Sequence, residues 1–225
     1  MTLAELISRV RTDANDKVVP YFWSDEEITA WLNDAIDEAA VRGRLIHESA
    51  IPEVCVVSVQ AGTAVYPIHA ALYELDHVSF APSNGDKTEH IALKSVEQLD
   101  GITSSWRERS GSPMYALQGD KSLRLVPKPD FDGVLRLEGY RLPMSKMLLA
   151  EKDTAEPEIN QAHHVHLVNW VLHRGFSIPD MEAFDQQRSS IAEEAFTSYF
   201  GIRPDSDLRR ETREDVQHHV EAFWP

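Results

Sequence analysis

Apolar residues recur every three to four positions at both ends of the chain and about every second position in the middle, so the period itself divides the sequence into three stretches. In the first, Leu3, Leu6, Ile7, Val10 and Ala14 keep helical spacing behind Thr2 and Glu5. That pair has capping-box separation, in which each side chain satisfies the other residue's backbone amide. Pro20 stops anything that continues past Lys17. A second helix starts at Ser24, with Glu27 in the third position and Trp23 and Ile28 placed as a hydrophobic staple. Its stripe is Ile28, Trp31, Leu32, Ala35, Ile36 and Ala39, while Glu26, Asp34, Asp37, Glu38 and Arg42 fall mostly opposite and Gly43 marks the end.

From Ile51 to Arg141 β-branched residues and turn formers take over. Strands are predicted over 54–59, 64–68, 73–80, 89–93, 114–118, 123–126 and 134–140, with a short helix over 95–99. The separators are Ala61-Gly62, Ser83-Asn84-Gly85-Asp86, Gly119-Asp120 and the run 127–133. A βαβ array would need a helix after each strand, which points instead to a sandwich or curled antiparallel sheet. After Pro157 helical spacing returns in Val165, Leu167, Val168, Val171, Leu172 and Phe176, a third helix that Pro179 stops. A fourth runs from Asp180 as cap through Phe184, Ile191, Ala195, Phe196, Tyr199 and Phe200 to Gly201. None of the four is long enough to be stable alone. The predicted fold is therefore α+β: a four-helix bundle formed by the N- and C-terminal pairs, with an inserted antiparallel β-sandwich-like domain. The predicted boundaries are 1–50 and 151–203 for the helix pairs, 51–150 for the insertion and 204–225 for a charged tail ending in Phe223-Trp224-Pro225.

Composition narrows the function classes. Lys and Arg total 22 against 37 Asp and Glu, a net charge of −15, which excludes a generally basic nucleic-acid binder. The single cysteine, Cys55, cannot close an intrachain disulfide and reads as a small core residue of the 54–59 strand. No stretch reaches the roughly 18 apolar residues of a membrane span, and the first residues lack the order of a signal peptide. The expectation is a soluble protein made in the cytoplasm, with no membrane partner.

Candidate chemistry is sparse. His163 and His166 share a helix face at i, i+3, and His173 follows on that face, about 15 Å from His163 at 1.5 Å per residue. One metal cannot bind all three. A metal-dependent hydrolase using His163, His166 and an unassigned carboxylate stays open as an alternative, although no glutamate lies between the histidines as in HExxH. The competing reading is that these histidines pack at a helix or subunit contact, with His218 and His219 on the surface of the tail. There is no GxSxG, no GxxxxGK[ST] and no GxGxxG, so no catalytic residue and no cofactor are predicted. Trp106, beside Arg107 and Arg109, reads as a stacking platform for a partner or as a local packing residue. Phe223 and Trp224, two large aromatics at a polar chain end, need something to dock on.

Several strings in order resemble the head-to-tail adaptor proteins of tailed bacteriophages, the connector group that includes the tubular protein A type. They are 22–28 (FWSDEEI), 31–35 (WLNDA) and Glu38-Ala39-Ala40 with Arg42, then Leu125-Val126-Pro127-Lys128-Pro129 before Gly133-Val134-Leu135. Tyr140-Arg141-Leu142-Pro143, Pro157-Glu158-Ile159 before His163-His164, and Phe200-Gly201 follow. The charged tail after Arg203 and the Trp106 loop have no counterpart in that pattern. The resemblance implies a structural virion protein in the neck between capsid and tail, with the portal protein and tail or neck proteins as partners. It also implies a ring of about twelve copies around an axial channel. DNA would pass through that channel without specific binding, in keeping with a repulsive acidic surface. Another tail-completion or tail-tube subunit is the alternative within the same class.

Overall fold

The computed structural model describes residues 1–83, 85, 87–102, 105–179 and 182–204. Within them the chain is mixed α+β and divides into two compact units. The first is formed by Met1–Ile46 with Arg141–Arg203, the second by His47–Tyr140.

Helix α1 (Leu3–Ala14) begins as its sequence predicts, with Thr2 Oγ1 accepting from the Glu5 N–H and Glu5 Oε2 accepting from the Thr2 N–H. The Leu3 and Ala4 amides, which a helix leaves orphaned at its first turn, donate to the Ala155 and Lys152 carbonyls. Helix α2 (Asp25–Gly43) carries the same box at Ser24 and Glu27. Trp23 and Ile28 are both buried, and the Trp23 ring meets Trp31 and Phe176 edge-on at 5.8 and 5.2 Å between centroids.

The returning segment departs from prediction in two places. Gln161–His166 winds as a 3-10 helix, and only Leu167–Phe176 is α-helical (α5), so Val165 stands outside the third helix, which stops before Pro179. The next helix (α6, Gln186–Phe200) is capped by Asp185, whose Oδ1 accepts from the Gln187 and Arg188 amides. Phe184 precedes that cap and is exposed, and Asp180, the expected cap, lies outside the described residues. Residues of α1, α2, α5 and α6 share one core that includes Leu6, Val10, Leu32, Ile36, Val171 and Phe196. The segment after Arg141 is pinned at Asn33, whose side chain both donates to the Met147 carbonyl and accepts from its amide.

The second unit opens with a strand that the pattern had hidden, β1 (His47–Glu48). Glu48 is buried, and its Oε1 accepts from the amides of Ser49, Ala50 and Ile51, which tightens the turn into a short helix α3 (Pro52–Cys55). Cys55 is thus a buried residue of a helical turn and not of a strand, because Pro52 sets the backbone at the first helical position. The strands are β2 (Val56–Val59), β3 (Val65–Pro67), β4 (Leu72–Pro82), β5 (Glu89–His90), β6 (Ala92–Leu93), β7 (Tyr115–Gln118), β8 (Ser122–Val126) and β9 (Gly133–Arg141), with helix α4 (Val96–Ile102) between β6 and β7.

One sheet runs β1-β9-β4-β5, with β2 also on β9; the other runs β3-β8-β7-β6. The predicted single strand 89–93 is divided between them. The Ile91 amide donates to Val78 in the first sheet, while the Ala92 amide donates to Met114 and β6 joins the second. The expectation of a purely antiparallel insertion is corrected here, since β6 and β7 are parallel. A parallel pair needs a crossover, and α4 with the Trp106 loop supplies it. The two sheets share one core, with Leu75, Val78, Phe80, Leu135 and Leu137 from the first and Tyr66, Ala116, Leu123 and Leu125 from the second.

Candidate functional site

The histidines are brought together, but around a tyrosine. The three-residue period of the 3-10 helix aligns His163 and His166. His166 lies flat on the Tyr199 ring at 3.5 Å between centroids, and His163 Nδ1 is 3.2 Å from the Tyr199 hydroxyl. Burial first, and the neighbouring His163 second, push the His166 imidazole below its ordinary pKa. His164 is turned inward and buried, with Nε2 3.0 Å from the Ile159 carbonyl. His173 is separate from this pair: its Nδ1 faces the Ser189 hydroxyl at 3.1 Å and Glu193 at 3.9 Å. Among the described residues no three His, Cys, Asp or Glu side chains are grouped to hold a metal ion.

Trp106 does not offer its ring to solvent. It is 4% exposed and packs with Leu99 and Val126, and its indole N–H donates to Asp100 Oδ1 at 2.7 Å. The Arg107 guanidinium lies 4.1 Å from the ring centroid and also bonds Asp100. Those two donors hold the Asp100 carboxyl below its usual value. Beside Trp106 an apolar groove of about 280 Å³ is lined by Ile102, Met114, Tyr115 and Pro127. Phe223 and Trp224 lie outside the described residues, as do His218 and His219.

Two surfaces of the helical unit escaped the sequence reading. A groove of about 370 Å³ is lined by Asp34, Asp37, Glu38, Trp170, Arg174 and Arg203. Arg42 donates to Glu38 at 2.7 Å and to Thr197 at 2.9 Å, with its guanidinium over the Trp170 ring. The other surface is the loop between α1 and α2. There Val18 is 78% and Val19 73% exposed, with Tyr21 and Phe22 also outward. A run of four large apolar side chains around a proline, without helical or strand period, was the available signal.

These surfaces are exposed and apolar or mixed in charge. The family model described as SU10 adaptor protein matches residues 1–218, and the chain belongs to that family, the phage head-to-tail adaptors. Membership makes it a bacteriophage virion protein of the neck whose partners in general are portal and tail proteins. The match extends past Arg203 into the charged tail and ends before Phe223 and Trp224. No curated protein matches the chain. No helix among the described residues is long and apolar enough to cross a membrane.

Proposed function

We propose that this chain is the subunit of a ring, of about twelve copies, that docks beneath the portal, joins capsid to tail and leaves an axial channel for DNA. The family match over residues 1–218 carries this reading. The shared core of α1, α2, α5 and α6 supports a four-helix bundle as the portal-side body, with the β unit toward the tail or stiffening the ring. A charge of −15 per copy supports a conduit that repels the DNA it conducts. Phe223 and Trp224 act as docking aromatics at the end of the tail.

The test is native mass spectrometry of the full chain mixed with the portal ring of the same virus. About twelve copies per portal is the expected stoichiometry, and failure to bind overturns the adaptor ring. Removing residues 222–225 should weaken assembly while leaving the circular dichroism spectrum unchanged; unaltered assembly would assign no role to the two aromatics.

A further inference from the structure

The α1–α2 loop is held out into solvent by buried charge. Arg11, on the inner face of α1, donates to Asp16 at 2.8 Å, to the Trp23 carbonyl at 3.0 Å and to Asp25. Asp16 is 3% exposed and accepts in turn from the Phe22 amide at 3.0 Å. The guanidinium lies 3.7 Å from the Tyr21 ring centroid. Taking a charged pair out of water is costly, and here it fixes a loop whose Val18 and Val19 side chains stay in solvent. A loop fastened in this way is a preformed plug, with the ordering cost of binding met in advance.

The same unit carries a second exposed apolar feature of a different shape. On α6, Ile191, Ala195 and Tyr199 stand exposed at i, i+4 and i+8, a straight stripe about 12 Å long. One face of Tyr199 is covered by His166. The two features also differ in charge. From Ser189 to Phe200 the helix has two acids, Glu193 and Glu194, and no base, whereas Lys17 is the single charge between positions 17 and 22.

We infer that the α1–α2 plug of one copy seats on the α6 stripe of the next, with Lys17 against Glu194; this rests on the ring reading above. Area and symmetry favour a second copy as the occupant. An apolar patch of a few hundred Å² falls short of the roughly 800 Å² per partner in a stable pairwise interface, so plug against plug would hold two copies weakly. A plug-on-stripe contact is heterologous: each copy gives its plug to one neighbour and its stripe to the other, is held twice, and the contact repeats until the ring closes.

Engineered cysteines test the contact. The chain carrying both Val19→Cys and Ala195→Cys is oxidised mildly at high concentration, with the wild type and its buried Cys55 as control. A ladder of disulfide-linked multimers is expected, while a mixture of the two single variants stops at dimers. Self-linking of the Val19→Cys single variant, or absence of a ladder, overturns the contact. Lys17→Glu should weaken assembly at least tenfold, and adding Glu194→Lys should restore it; no restoration overturns the pairing of these two charges. Wild-type rings, alone or on the portal, without a ladder from the double variant reject the plug contact alone. A wild type that neither assembles nor binds portal rejects the ring itself.

Discussion

Arg11 occupies a core-facing position of α1 and serves three oxygens from α1's C-terminal turn and α2's start, so its removal acts beyond its own contacts. Arg11→Ala leaves the Asp16 carboxylate buried with only the Phe22 amide as partner. Breaking a buried pair from one side costs about 3–5 kcal/mol, well above the 1 kcal/mol or less of an exposed pair. Denaturant unfolding followed by the helical signal should show that loss, and an unchanged midpoint would mean that water reaches Asp16 and takes over the role of the guanidinium. His166 gives a pH dependence of definite sign. Its pKa in the fold lies below the ordinary 6.5, so on acidification the unfolded chain takes up the proton first. The stability owed to neutral His166 is complete above pH 6.5 and is lost as the pH falls through that value toward the folded pKa. His166→Phe keeps a ring on Tyr199 and cannot titrate. Comparison of unfolding free energies between about pH 7 and pH 5 should therefore show a shallower decline for the variant than for the wild type. Parallel profiles would remove His166 from the account.

On α5, Gly175 faces the Trp23 indole so closely that a Cβ would lie 2.5 Å from the ring. Alanine is intrinsically better in a helix by about 1 kcal/mol, whereas overpacking a dense core costs about 1–3 kcal/mol. Trp23 is wedged between Trp31 and Phe176 and has little room to retreat, so the steric cost should win. Gly175→Ala is expected to lower the thermal midpoint; a rise would show that the indole shifts freely. This element also shows where sequence reading stops. The starts of α1 and α2 were legible because a capping box is a conversation between residues three apart. The α6 start was missed by five residues, since Asp180 and Asp185 are equally good caps in sequence and only the fold selects Asp185. The division of 89–93 between two sheets was illegible for a deeper reason: Ile91 and Ala92 find their partners at Val78 and Met114, and no local pattern encodes such pairings. At the candidate surfaces the same limit applies. The apolar residues at 18–22 were visible, but that they stay exposed depends on Arg11 beneath them. The burial of Trp106 depends on Asp100 of α4 and on Val126 of β8.

At the scale of the whole chain, the backbone leaves the helical unit between Ile46 and His47 and re-enters it between Tyr140 and Arg141. The strand partners His47 and Tyr140 open the β unit, and one residue further out the Arg141 amide donates to the Ile46 carbonyl at 2.9 Å. Ile46 and Arg141 therefore stand as neighbours across an antiparallel pair, the spacing that a two-residue hairpin turn closes. Each unit also has a core of its own, so neither needs the other's apolar residues to bury its stripes or sheet faces. Deleting residues 47–140 and joining Ile46 to Arg141 through Asn-Gly should give a soluble helical protein with a single cooperative transition. Residues 47–140 alone, about 90 residues with a two-sheet core, exceed the size below which small domains usually need disulfides or metals, and should fold with a β-type spectrum. Circular dichroism and denaturant unfolding of both pieces decide the matter. If the shortened chain collapses or aggregates, the helices draw stability from the insertion and the two units form one cooperative body. If both pieces fold, assembly assays on each can assign portal binding and tail binding to separate halves of the adaptor.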